Sequence, residues 1–269
     1  MRFTRWRFAL AALAAAALVL PAAVPGSAGP SGPRPQVAPI VASMTTGAGA
    51  SYMHVDVDRQ GNLTFVSPQD EGLVYDGYGL CKGDQDAYAY NLPIEEGGAA
   101  GLGPVTVTQP NPGAFPVTIV RKTWDGAIRL SQTWAVPDPT EKDITVTMTV
   151  RNISASPITD LRLMRSGSAH YQFDDPNPPF FRGATTADSA FEWWDNDFNG
   201  TANGLVMTAR TLGQPHVAGV SGDIDLARSC EGFNEMDPFP SEGYPQIVYF
   251  LPTLPPGAEV TVAFTYRRL

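Results

Sequence analysis

The chain of 269 residues carries 18 Lys and Arg against 27 Asp and Glu, for a net charge of −9, and 43% of its residues are hydrophobic. This length suits one large domain, since all-β domains commonly reach about 200–250 residues. The acidic balance argues against nucleic acid as a partner, because phosphate binding needs clustered Lys and Arg.

Residues 1–28 predict an export signal. Arginines near the start precede an apolar run over residues 8–20, and small residues follow before the expected cleavage site. The run is shorter than a typical membrane span of about 20 apolar residues, and an uncleaved anchor is the alternative. No second apolar run of that length follows. We therefore expect a secreted or cell-envelope protein with no integral membrane span after cleavage, and the Ala-, Gly- and Pro-rich composition suggests a bacterial source.

Residues 29–45 are rich in Pro, Gly and Ser, which predicts a flexible leader before one domain over residues 46–269. The domain contains the two cysteines of the chain, Cys81 and Cys230. An exported chain with two cysteines is expected to pair them, and two free thiols are the alternative.

The first part of the domain predicts short strands separated by turns. Residues 51–57 and 62–67 are expected to form a hairpin around Gly61, which supplies the turn chemistry. Residues 71–102 are rich in Gly and Asp. We interpret them as a long surface excursion that is pinned by the disulfide and contains one short strand at 87–91.

The clearest strand pattern lies in residues 117–151, where apolar and polar side chains alternate. From residue 144 onward, Ile, Val, Met and Val alternate with Thr, Thr, Thr and Arg. Successive side chains of a strand point to opposite faces, so this pattern buries one face and exposes the other. Asp125-Gly126 favours a tight hairpin turn between two of these strands.

The pattern continues to the last residues, where Val260, Val262, Phe264 and Tyr266 alternate with polar or small side chains. Further strands are predicted at 104–109, 158–165, 190–194, 204–210 and 247–251. After the signal, no segment shows sustained helical periodicity. We therefore predict an all-β fold, a large two-sheet antiparallel β-sandwich in a single domain.

Residues 120–165 resemble the central strands of galactose-mutarotase-like β-sandwiches. The shared features are a strand ending in Asp-Gly, a Thr/Val strand closing with Arg-Asn, a Ser-rich turn and a strand ending in Arg165. The resemblance implies a supersandwich fold and a carbohydrate ligand. Epimerases of this family use a His as general acid and a Glu as general base, and the residues nearest to such positions are His170 and Glu192.

The densest cluster of functional side chains is the aromatic and acidic run over residues 191–200. Aromatic faces stack on the C–H faces of sugar rings, while carboxylates and amides accept hydrogen bonds from hydroxyls. We predict ligand contacts at Trp193 and Trp194, with Arg165 and Tyr171 as further ligand-binding residues. The alternative for either Trp is a place in the core.

Asp195, Asp197 and Asn199 have the alternating spacing of a calcium loop, followed by a glycine. The twelfth position is Val206 rather than the bidentate Glu of a helix-loop-helix site, so a Ca²⁺ ion here would need a distant carboxylate. The alternative is an Asx-rich turn. No other cofactor is indicated.

His170, Asp174 and Asp175 open a Pro-rich polar loop. A His beside two carboxylates could act as an acid–base pair or as metal ligands, and a solvated loop is the alternative. Our first functional hypothesis is a non-catalytic module that binds a carbohydrate or another cell-surface ligand. The alternatives are an epimerase- or lyase-like enzyme, which uses His170 with a nearby carboxylate, and a structural or interaction protein of the cell envelope. Oligomeric state does not follow from the sequence.

Overall fold

A computed structural model describes residues 38–46, 53–66, 73–91, 98–138, 140–170, 181–195, 202–221, 230 and 244–268. These residues form seventeen strands and no helix. The predicted signal peptide lies outside them. The strands are β1 Ile40–Thr46, β2 Met53–Asp58, β3 Leu63–Val66, β4 Leu73–Lys82, β5 Gln85–Asn91, β6 Gly98–Ala100, β7 Thr106–Thr108, β8 Val117–Lys122, β9 Ile128–Trp134, β10 Asp143–Asn152, β11 Leu161–His170, β12 Phe181–Thr185, β13 Ser189–Asp195, β14 Ala202–Ala209, β15 His216–Ser221, β16 Tyr244–Leu251 and β17 Glu259–Arg268.

The strands assemble into antiparallel sheets of eight, six and three strands. The eight-stranded sheet has the order β12-β13-β14-β17-β10-β9-β8-β7, and the six-stranded sheet has the order β15-β16-β11-β4-β5-β6. Strands β1, β2 and β3 form the third sheet. The predicted all-β sandwich of two large antiparallel sheets is therefore confirmed.

The core lies between the inner faces of the two large sheets. In β10, burial alternates along the strand, and Val146 and Met148 are fully buried. On the six-stranded sheet, Leu80, Leu163 and Tyr249 belong to the same buried cluster. This is the arrangement expected when a period of two places every second side chain inward.

Residues 71–102 differ from the prediction of a surface excursion. They contain strands β4, β5 and β6, and β4 lies inside the six-stranded sheet between β11 and β5. Tyr78 and Leu80 are 0% and 1% exposed. The prediction was wrong because glycines at 77 and 79 resemble turn residues, whereas here they occupy the face of β4 opposite to the core.

The hairpin predicted before this segment is confirmed, with β2 paired to β3 across the turn at Gly61. Strand β1 pairs with β2 and overlaps residues 40–45 of the range predicted as a flexible leader. Ala42 of β1 is fully buried in the core cluster. Ordered structure therefore begins before the predicted boundary at residue 46.

Within the ranges that the structure describes, there is no helix long and apolar enough to span a membrane.

Candidate ligand cleft

An open cleft lies where the β4–β5 hairpin meets the turn between β8 and β9. Its volume is about 230 Å³. The β4–β5 hairpin and the β8–β9 hairpin are each paired up to their turns, so the sheets hold the walls of the cleft in place. It is lined by Leu80, Lys82, Gln85, Asp86, Ala87, Gly101, Thr123, Trp124, Asp125 and Ile128.

Trp124 projects from the β8–β9 turn and is 78% exposed, the largest exposure among the exposed large hydrophobic side chains of the described residues. Its indole Nε1–H donates to the carbonyl oxygen of Leu102, and its backbone N–H donates to the carbonyl oxygen of Gly101 at 3.0 Å. These two bonds tie the residue to the segment after β6. A large aromatic ring is thus held in a fixed orientation while most of its surface faces solvent.

Asp125 organises the same turn and is one of three charged residues that line the cleft, with Lys82 and Asp86. Its Oδ1 accepts from the hydroxyl of Thr123 at 2.6 Å and from the backbone N–H of Ala127 at 3.0 Å, and its Oδ2 pairs with Lys82. Partial burial raises the pKa of Asp125, but the hydrogen bonds from Lys82, Thr123 and Ala127 outweigh it and lower the pKa to about 2. The carboxylate is therefore ionised at neutral pH and neutralised by Lys82.

The opposite wall of the cleft is fixed by the disulfide. Cys81 and Cys230 are bonded, with their Cα atoms 5.1 Å apart, which confirms the predicted pairing. The backbone N–H of Cys230 donates to Oδ1 of Asp86 at 2.9 Å. The disulfide thus anchors residue 230 next to an acidic residue of the cleft.

This arrangement suits binding more than catalysis. A fixed aromatic face offers stacking, and the Lys82–Asp125 pair offers one donor and one acceptor group at its edge. General acid–base catalysis needs a group that gains and loses a proton near the working pH. Asp125 is held ionised well below that range, so it is suited to accepting hydrogen bonds.

Arg165, predicted as a ligand-binding residue, lies in the interior and is 0% exposed. Its guanidinium forms an ion pair with Asp76, donates to Tyr266 and donates to Oε1 of Gln132 at 2.8 Å. It also lies over the ring of Trp134, 4.7 Å from the ring centroid. Burial opposes its charge, but the Asp76 carboxylate outweighs that effect and raises the pKa of Arg165. All these contacts are internal.

Two residues predicted as an acid–base pair lie on different sheets. His170 ends β11 in the six-stranded sheet, opposite Leu73 of β4. Glu192 lies on β13 in the eight-stranded sheet, opposite Leu205, and is 1% exposed. Strands β11 and β13 do contact each other. The structure does not describe the His170 side chain, so the catalytic role of this pair stays a prediction.

Of the other predicted site residues, Trp193, Trp194 and Asp195 form the end of β13, where the structure describes their backbone. Their roles in ligand and calcium binding stay predictions. The remaining ones lie outside the described residues; they are Tyr171, Asp174, Asp175, Asp197 and Asn199.

Trp124 was not among the candidate site residues predicted from the sequence. One sequence feature could have identified it. Trp124 lies directly before Asp125-Gly126, which places a large aromatic side chain in the predicted hairpin turn itself. Turn positions are usually exposed, so a large aromatic side chain there is not required by the core. The adjacent tryptophans of β13, set among acidic residues, form the more conspicuous pattern in the sequence.

Comparisons with known proteins place the chain in no family. No family model and no curated protein matches it. Among solved structures, a protein assigned as a kojibiose phosphorylase from the human microbiome is 9% identical with a TM-score of 0.42, covering 86% of this chain and 25% of its own. A polysaccharide lyase is 12% identical with a TM-score of 0.38, covering 87% of this chain and 32% of its own.

The chain thus spans about a quarter to a third of the length of these two structures. Both TM-scores lie below 0.5, so neither likeness carries an argument about function or family. The resemblance to galactose-mutarotase-like sandwiches stays a prediction.

Proposed function

We propose that the protein binds a carbohydrate non-catalytically, with Trp124 as the stacking platform. The observation that carries this proposal is the combination of 78% exposure and a fixed indole. An aromatic side chain that is both exposed and held in place has already lost its conformational freedom, so a ligand that stacks on it does not have to order it.

The size and polarity of the cleft support a sugar unit. Its volume of about 230 Å³ lies below the range of roughly 300–1,000 Å³ typical of sites for drug-sized ligands. One ring could stack on Trp124 while its hydroxyls reach the carboxylate of Asp125, the ammonium of Lys82 and the amide of Gln85. A neutral ligand fits best, because Lys82 and Asp125 are already paired with each other.

Substitution of Trp124 tests the proposal. The wild-type protein, Trp124→Ala and Trp124→Phe would be screened against a glycan array, and the affinities of any hits would be measured by isothermal titration calorimetry. We expect Trp124→Ala to weaken binding at least tenfold, which is about 1.4 kcal/mol. Trp124→Phe keeps an aromatic face and should retain part of the affinity.

Leu212→Ala is the matched control, because Leu212 is also largely exposed, at 62%, but does not line the cleft. It should bind as the wild type does. Failure of every glycan to bind the wild type, or equal affinity in Trp124→Ala, would contradict the proposal. Release of a modified sugar by the wild-type protein would instead favour an enzyme.

A further inference from the structure

A second open cleft shares Lys82 with the Trp124 cleft. Its volume is about 360 Å³. It lies between the β4–β5 turn, the residue before β9 and the loop over residues 153–160 that joins β10 to β11. Its lining includes Lys82, Gly83, Ala127, Ser154, Ser156 and Thr159, and we call it the serine cleft.

The two clefts adjoin each other. Lys82 lines both, and the consecutive residues Ala127 and Ile128 line the serine cleft and the Trp124 cleft, respectively. Consecutive Cα atoms are about 3.8 Å apart, so the linings of the two clefts meet along this segment. The ammonium of Lys82 pairs with the carboxylate of Asp125, which lines the Trp124 cleft. This ion pair therefore lies at the boundary between the two clefts.

Backbone hydrogen bonds hold the walls of the serine cleft together. The N–H of Gly83 in the β4–β5 turn donates to the carbonyl oxygen of Asp160 at 3.0 Å. The N–H of Ile153 donates to the carbonyl oxygen of Ala127 at 2.9 Å. The loop over residues 153–160 is thus tied to both of the segments that face it.

The buried side chain of Asn152 fixes the loop from within. It is 0% exposed, and its Nδ2 donates to the carbonyl oxygens of Ser156 at 2.8 Å and Leu254 at 2.7 Å. Its Oδ1 accepts from the N–H of Ser154 at 2.9 Å and from the hydroxyl of Ser154 at 2.8 Å. A loop that is already ordered costs a ligand little conformational entropy on binding.

The surface of the serine cleft suits a neutral, hydroxyl-rich ligand. Ser156 and Thr159 are exposed, and their hydroxyls make no hydrogen bond to another residue that the structure describes. Each hydroxyl can donate one hydrogen bond and accept two. Among the residues that line the cleft, Lys82 carries the charge, and it is already paired with Asp125.

We propose that the ligand is a neutral oligosaccharide of at least two units, with one unit stacked on Trp124 and the next in the serine cleft, where its hydroxyls pair with Ser156 and Thr159. This inference rests on the proposed function, because it extends the same site. The link between the two units would pass the Lys82–Asp125 pair. A second unit that is joined to the first binds as part of the same molecule, so its contacts add affinity without a second loss of translational freedom.

The length of the sugar chain tests the inference. Cellobiose, xylobiose and chitobiose are the disaccharide probes, and glucose, xylose and N-acetylglucosamine are their monosaccharides. All are titrated into the wild-type protein by isothermal titration calorimetry, and a monosaccharide too weak for direct titration is measured as a competitor of its disaccharide. We expect at least one disaccharide to bind at least tenfold tighter than its monosaccharide.

The combined variant Ser156→Ala and Thr159→Val removes both hydroxyls and adds no bulk to the cleft. It should weaken binding of the disaccharide roughly threefold or more, as expected for the loss of neutral hydrogen bonds. Binding of the monosaccharide should not change, because the monosaccharide occupies the Trp124 cleft. If the combined variant does not fold, as judged by circular dichroism, the two single variants carry the test.

Thr108→Val is the matched control. Thr108 is exposed on β7, lies opposite Thr118 of β8 and lines neither cleft. This variant should bind the monosaccharide and the disaccharide as the wild type does.

The possible failures separate this inference from the proposed function. Equal affinity for monosaccharide and disaccharide in every pair, or unchanged disaccharide affinity in the folded combined variant, would overturn the inference and leave Trp124 as the binding platform. Unchanged disaccharide affinity in Trp124→Ala would contradict both, because the ligand would then not reach the Trp124 cleft. Both also fail if none of the six probes binds the wild type.

Discussion

Asp58 is a buried carboxyl group at the turn between β2 and β3 and is 1% exposed. Its Oδ1 accepts backbone hydrogen bonds from Gln60, Gly61 and Asn62 at 2.7, 2.9 and 3.0 Å. Burial raises the pKa of Asp58 to about 6, and the hydrogen bonds from Asn62 and Gln60 lower it only in part. The folded protein therefore binds a proton at this site more tightly than the unfolded chain does.

Asp58 makes the stability of the protein depend on pH. Because the folded pKa lies above the unfolded value of 3.8, the stability contributed by Asp58 is present below pH 4 and is lost as the pH rises through 6. We predict that Asp58→Asn, which cannot ionise, gains stability relative to the wild type by up to about 3 kcal/mol between pH 4 and pH 7.

Urea unfolding of both proteins at several pH values measures this difference. Comparing the two proteins cancels the contribution of the other titrating groups. A stability difference that stays constant between pH 4 and pH 7 would show that Asp58 is not a buried acid of raised pKa.

Arg165 illustrates what residue types alone could and could not predict about the site. The sequence correctly places it in a strand, but an Arg is usually exposed, so a ligand is the simplest partner to expect. Its observed partners, Asp76, Gln132 and Tyr266, come from three other strands that are distant in sequence. Such a set of contacts is defined by tertiary packing, which a local sequence pattern does not contain.

At the scale of elements, the segment that follows β6 packs closely against the backbone of β5. Gly101 has φ of +67°, and a Cβ atom there would overlap the carbonyl oxygen of Asp86 and lie 2.8 Å from the Cα atom of Ala87. Gly126, in the β8–β9 turn, has the same φ of +67°, but a Cβ atom there would have no neighbour within 4 Å. The two glycines share their backbone strain and differ in their surroundings.

We predict that Gly126→Ala destabilises the protein by about 1–2 kcal/mol, the usual cost of a left-handed conformation for alanine. Gly101→Ala should cost about 1–3 kcal/mol more, because β5 must also move. Chemical denaturation of both variants gives the comparison. Equal losses would mean that the close approach of Gly101 to β5 is not a packing constraint.

The elements that the sequence predicted best are those with uninterrupted alternation. Strands β10 and β17 each alternate apolar with polar or small residues, and each lies close to its predicted range. Strand β4 was missed because its inward positions, Asp76, Tyr78 and Leu80, are separated by glycines rather than by polar residues. Its Asp faces inward, where it pairs with Arg165 and accepts hydrogen bonds from the backbone N–H of Leu63 and the hydroxyl of Tyr266.

At the scale of the whole molecule, the disulfide joins positions 149 residues apart. A cross-link of that span restricts the unfolded chain strongly, and such bonds typically stabilise by about 2–5 kcal/mol. Disulfides persist in oxidising compartments, so this bond fits the predicted export.

We predict that Cys81→Ala combined with Cys230→Ala lowers the free energy of unfolding by about 2–5 kcal/mol. Urea denaturation of this variant and of the wild type, with and without reductant, measures the effect. The reduced wild type should match the variant. If the variant unfolds at the same urea concentration as the oxidised wild type, the bond contributes nothing to stability.

The position of β17 has a consequence for the order of events during synthesis. It lies between β10 and β14, in the middle of the eight-stranded sheet, although it comprises residues 259–268. Until these residues leave the ribosome, β10 and β14 each present an open edge, and open edges are where chains adhere to one another. The larger sheet therefore cannot be completed strand by strand in chain order, and β10 and β14 stay open to other chains until residues 259–268 are in place between them.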